Sequence, residues 1–147
     1  MKAKFYLIGL AVMAAVLVGC KKSDTENIDT KLLSGWWEQT NRTKTEYDTG
    51  NNVSNENHYF WYFSPDSIYI YDTFPELAHN TTHYVVQKES YGTIIYQDVA
   101  PQEIYYLPLK IVRLTSKELI LTTNTGVRHA EPMYYTYTLV RMRIPED

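Results

Sequence analysis

LLSGWWEQT, residues 32–40, sets two tryptophans side by side behind a glycine. Neighbouring residues on a β-strand point to opposite faces, so a strand opening at Trp36 and Trp37 buries one indole and lays the other on the outside. The residues that follow decide for strand over helix. After residue 34 helical periodicity is nearly absent. The chain is rich instead in Tyr, Thr, Val and Ile, which suit a pleated, half-buried surface. Thirteen of the 14 tyrosines lie beyond residue 19, which strengthens an all-β reading. Only residues 29–33 suit a short helical turn, with Asp29 or Thr30 as its cap.

Turn residues divide the remainder into eight segments. The first, residues 36–47, stops at DTGNN (48–52). NHYFWYF (57–63) and IYIYDTF (68–74) flank SPDS (64–67), a turn with Pro65 at its favoured second position. A fourth segment covers residues 82–88 and a fifth 92–99. The sixth spans 104–114, where Pro108 implies an edge or a bulge. The seventh is LILTTN (119–124), after a tight TSKE turn, and the eighth spans 133–143. Eight short, evenly spaced strands fit an antiparallel up-and-down barrel or a sandwich. Closure favours the barrel, because it removes the sheet edges that so aromatic a chain would otherwise expose. Eight strands leave an interior just wide enough for side chains or one small ligand.

Upstream, Lys2 and Lys4 precede an uncharged apolar run, residues 5–18, that is too short to span a bilayer comfortably. It ends in Leu17-Val18-Gly19-Cys20, which resembles the lipobox of bacterial lipoproteins. The expected division is a signal peptide over 1–19, a lipidated Cys20 with a polar tether over 20–31, and one domain over 32–147. Cys20 is the chain's single cysteine, so no disulfide within the chain can support the fold, even in an oxidising compartment. The tether KKSDTENIDTK (21–31) reaches at most about 35 Å. Loss of Lys2 and Lys4 would lower the formal net charge from −3 to −5. That balance argues against nucleic acid and against electrostatic adhesion to anionic lipid. The membrane partner is reached through the acyl anchor. By resemblance to lipoprotein sorting in Gram-negative bacteria, Lys21 rather than Asp after the cysteine implies a cell-envelope protein of the outer membrane.

As a whole the chain resembles the bacterial lipocalin-like lipoproteins, and more distantly the lipocalins. Gly35-Trp36-Trp37 is similar to the Gly-x-Trp at the entrance of the first lipocalin strand. YTLVR (137–141) resembles the last strand, and IVRLTSKELIL (111–121) the sixth-to-seventh hairpin. The resemblance implies that Trp37 is the family tryptophan, turned inward with Trp36 outward, and that Arg141 stacks over it to close the barrel base. The Thr-Asp-x-x-x-Tyr signature of classical lipocalins is missing.

Nothing in the chain singles out a catalytic centre. There is no Gly-x-Ser-x-Gly elbow and no glycine-rich phosphate loop. Glu38, Glu46, Asp66, Asp72, Glu89 and Asp98 offer no distinguished carboxylate pair. His58, His79, His83 and His129 lack metal-ligand spacing, since four residues on a strand separate His79 and His83 by about 13 Å. The expectation is a nonenzymatic protein with no cofactor and no metal. Alternation turns Trp61, Phe63, Ile68, Ile70, Leu119, Leu121, Tyr135, Tyr137 and Leu139 inward. Of these, Trp61, Phe63, Ile70, Leu121, Tyr135 and Tyr137 are the candidate lining of a site for a small apolar or amphipathic molecule. In the competing reading the same side chains simply fill a narrow barrel, because so many bulky groups leave little void. Tyr69, Tyr71, Tyr105 and Tyr134 turn outward. Tyr69, Tyr71 and Trp36 clustered in one external patch would suit a glycan or a protein partner.

Overall fold

The computed structural model describes residues 27–56, 58–73, 78, 80–98, 107–127 and 132–143. The expected signal peptide, Cys20 and most of the tether lie outside them, as do His79, Tyr105 and His129. The elements are a single 3₁₀ turn (Thr30–Leu33) and strands β1 (Gly35–Glu46), β2 (Asn52–Asn55), β3 (Tyr59–Phe63), β4 (Ser67–Tyr71), β5 (Asn80–Glu89), β6 (Gly92–Asp98), β7 (Leu109–Leu114), β8 (Glu118–Thr122) and β9 (Met133–Arg141). Each strand from β3 to β9 pairs antiparallel with the next, and β9 pairs back along β1 from Trp37 to Glu46. The first half of β1 takes β3 on its other edge. Eight strands, β1 and β3–β9, therefore close an antiparallel up-and-down barrel, a lipocalin-like architecture.

β2 is a ninth strand that the hydrophobic pattern did not reveal. Its sequence NVSN is exposed along its length, so no buried alternation marks it. It is held by the ladder to residues 42–45 of β1 and by side-chain bonds, Thr43 Oγ1 to Ser54 Oγ at 3.1 Å and Thr45 Oγ1 donating to Asn52 Oδ1 at 2.7 Å. β2 and β3 thus share one edge of β1. Their exchange coincides with a bulge, where Gln39 faces Leu139 and Asn41 faces Thr138, with Thr40 as the extra residue. The Thr40 hydroxyl donates to the Thr138 carbonyl at 3.3 Å. In β7, which starts just after Pro108, Val112 is the bulged residue. Packing also starts ahead of Leu32, inside the stretch read as tether. Asp29 caps the 3₁₀ turn by accepting from the Lys31 amide, and Ile28 packs against the core.

Alternation fills the barrel. Trp37, Phe63, Ile68, Ile95, Leu119, Leu121 and Leu139 are fully buried and form one cluster with Leu33, Trp61, Leu109 and Ile111. Burying this apolar surface, at about 25 cal/mol per Å², is the main stabilising term. The described chain has no disulfide to add to it.

Candidate functional site

One end of the barrel is plugged. The Trp37 side chain is wholly buried, and its Nε1 donates to the Leu33 carbonyl at 2.8 Å. The Arg141 guanidinium lies over the indole with Cζ 3.7 Å from the ring centroid. It donates to the Ser34 carbonyl at 2.7 Å and to the Leu32 carbonyl, which ties β9 to the turn ahead of β1. Burial pulls the Arg141 pKa below its ordinary value, yet guanidinium remains charged at any physiological pH. Gly35 makes room for this arrangement. Its φ is +113°, and a Cβ there would sit 2.8 Å from Arg141 Nη1. Only glycine tolerates both that backbone and that neighbour.

Further along β1 the packing opens into a cavity of about 230 Å³. Trp61, Ile70 and Tyr137 line it, together with Gln39, Arg42, Tyr59, Asn80, Gln97, Leu107, Leu109 and Thr123. Phe63 and Leu121 lie in the solid core and do not reach the cavity. Tyr135, also expected in the lining, is not among the lining residues but stacks on Tyr137, ring centroids 6.5 Å apart, beneath the Arg42 guanidinium at 5.5 Å. Trp61 Nε1 donates to Gln39 Oε1 at 3.2 Å, which fixes a buried amide in the wall. Burial pushes the Tyr137 hydroxyl above its ordinary pKa, and the charge of Arg42 pulls part of the way back.

The polar lining escaped the sequence reading, and Arg42 most of all. Strict alternation from Trp37 would turn residues 39, 41 and 43 inward and Arg42 to solvent. The bulge at Thr40 resets the alternation, so Arg42 faces Tyr137 across the ladder and points into the barrel. Bulges re-aim side chains in this way beside functional sites. NRTKTE contains no glycine to mark one.

Elsewhere, Ser67 Oγ lies 3.0 Å from His83 Nδ1 and 3.0 Å from Asp66 Oδ1. This is not a nucleophile–base pair in the triad sense. With Ser67 donating to Asp66, the imidazole donates to Ser67 and cannot serve as its base. The contacts brace the β3–β4 turn, and Ser64 also donates to Asp66. Hydrogen bonds from Ser67 and Ser64 hold the Asp66 carboxyl below the usual carboxylate range. Its contribution to stability is therefore complete above the unfolded value of about 3.9 and lost as pH falls through the lower folded pKa. Asp66→Asn should flatten the acid limb of a stability–pH curve below about pH 4, and an unchanged limb would count against this role. Among the described residues no three His, Cys, Asp or Glu side chains gather to hold a metal.

Outside the barrel, aromatic rings gather across β1, β3 and β4. Trp36 lies 4.8 Å from Tyr62 and 5.2 Å from Tyr71, and Tyr62 lies 5.9 Å from Tyr69. Trp36, Tyr69 and Tyr71 thus share one external patch, while Tyr134 sits apart, against Tyr47.

No protein-family model matches the chain, and no curated protein matches it. Among solved structures it is similar to a lipocalin-like protein from Bacteroides uniformis ATCC 8492, at 13% sequence identity over 76% of this chain and 99% of that one, with a TM-score of 0.43. By its own strand order, closure and tryptophan–arginine plug, the chain is a lipocalin-like barrel.

Proposed function

We propose that this protein is a lipid-anchored cell-envelope protein whose barrel holds a small apolar or amphipathic molecule without transforming it. The observation that carries the reading is the 230 Å³ cavity lined by residues of the barrel interior, Gln39, Trp61, Ile70, Leu109 and Tyr137 among them. Among the described residues its wall joins six apolar or aromatic side chains to five polar ones, a lining suited to an amphipathic molecule. The anchor rests on the apolar run, the lipobox and the lone Cys20. Lys21 favours the outer membrane. The described chain enters the barrel beside the plug, through Ile28 and Leu33.

Native mass spectrometry of the protein purified from an envelope-competent bacterial host tests this. A co-purified small molecule should be seen, displaceable by a fluorescent apolar probe. Leu107→Trp, which fills the cavity from its rim, should block the probe while leaving the melting temperature nearly unchanged. A bare protein mass together with no probe binding would refute the reading.

The external patch of Trp36, Tyr62, Tyr69 and Tyr71 favours a second reading, a glycan-binding or interaction module on the outer face. The same preparation separates the two. Oligosaccharide binding that is lost in Trp36→Ala and kept in Leu107→Trp would move the function to the outside of the barrel.

A further inference from the structure

Arg42 is the single charged side chain among the described residues that line the cavity. Among those residues no carboxylate pairs with it, and its guanidinium lies over the face of Tyr135. On the same face of β1 the next carboxylate is Glu46, four residues and about 13 Å further along. That group is engaged by Thr49 at 2.7 Å and Asn51 at 3.4 Å. A guanidinium with no carboxylate among the described residues of a half-buried wall loses hydration and gives folding little in return. A purely apolar ligand would have no use for it. Yet a β-bulge is spent on turning it inward, in a protein whose net charge is negative.

Resting on the cavity reading above, we infer that the ligand is a small organic monocarboxylate, its carboxylate held by Arg42 and its apolar body against Trp61, Ile70 and Leu109. Two features set the class. The planar guanidinium fork matches a carboxylate in bidentate geometry, and one cation balances one negative charge. A phosphate dianion would call for further cations or a nest of backbone amides, and among the described residues the lining holds neither a second cation nor a glycine, with Lys44 the next cation along that face of β1. Volume sets the size. About 230 Å³ is below the roughly 300–1,000 Å³ of pockets that enclose drug-sized molecules. It suits an aryl or short-chain acid. The Gln39 amide, pinned by Trp61, adds a polar group beside the carboxylate position.

The test compares phenylacetate with its neutral isostere 2-phenylacetamide, by ligand-observed NMR titration on the purified full chain. Wild type should bind phenylacetate tighter by about tenfold or more, the usual effect of a charge-assisted hydrogen bond. Arg42→Gln should erase that preference by weakening phenylacetate about tenfold or more beyond any loss it causes to the amide, and Arg42→Lys should restore part of it. Equal affinities in wild type, a comparison that needs no variant, would overturn the inference and leave the cavity reading standing. A preference that survives Arg42→Gln would overturn the assignment to Arg42. If neither compound binds, the fluorescent apolar probe separates the failures. Probe binding then rejects only the carboxylate, and its absence rejects the cavity as a ligand site as well.

Discussion

Trp37→Ala should lower the free energy of unfolding by about 3–5 kcal/mol, the usual loss when a large buried aromatic is truncated. Three features place Trp37 at the upper part of that range. The indole is fully buried, its Nε1 satisfies the Leu33 carbonyl at 2.8 Å, and its face carries the Arg141 guanidinium at 3.7 Å. Removing it leaves a void at the barrel base, an unpaired carbonyl and a cation without its ring. For a domain of this size the melting temperature should fall by on the order of 10–15 °C. Since natural domains hold only about 5–15 kcal/mol in total, part of the protein could already be unfolded at 37 °C. Urea denaturation followed by circular dichroism reads this directly. A Trp37→Ala protein that unfolds at the wild-type midpoint would show that the plug does not support the barrel.

Arg141→Met should cost about 2–3 kcal/mol, although it keeps most of the side chain's bulk. Hydrogen bonds from a charged donor contribute about 1.5–3 kcal/mol each when buried, less at this half-exposed site, and the stacked cation about 0.5–2 more. The carbonyls of Leu32 and Ser34 lose their donor together, so the 3₁₀ turn should loosen from β9. The informative experiment is the double-mutant cycle with Trp37→Ala. Because the two side chains touch, the double variant should lose less stability than the sum of the singles, by about 1 kcal/mol or more. Strict additivity would mean that the stacking contributes nothing and that each residue acts alone.

Much of this architecture was legible in the chain. Seven of the strands are marked by apolar and aromatic alternation between turn residues, and β1 by its paired tryptophans. Each expected segment has a counterpart among the described strands. Trp36 and Trp37 divide between outside and inside because the pleat allows nothing else. β2 was not legible. A strand exposed on both faces carries no burial pattern, and NVSN is specified by backbone pairing to β1 after the turn at residues 47–51.

The candidate site was legible only in its apolar half. Trp61, Ile70 and Tyr137 follow from alternation counted along their own strands. Phe63 and Leu121 obey the same alternation yet sit in solid core, since periodicity gives the face a residue occupies and not its depth along the barrel axis. Arg42 needed the bulge at Thr40, and a bulge is a two-strand property: it exists only where β9 and β1 disagree by one residue in register.

The sequence by itself determined that this is an all-β chain, where its turns fall and which faces of most strands are buried, because these follow from the period of two and from turn chemistry, both local. Only the tertiary structure decided which end of the barrel is plugged, that a cavity remains in it, and that Arg42 enters that cavity. Those depend on how the packed volumes of many strands sum across the barrel and on register between strands about 90 residues apart in the chain, which no local pattern encodes.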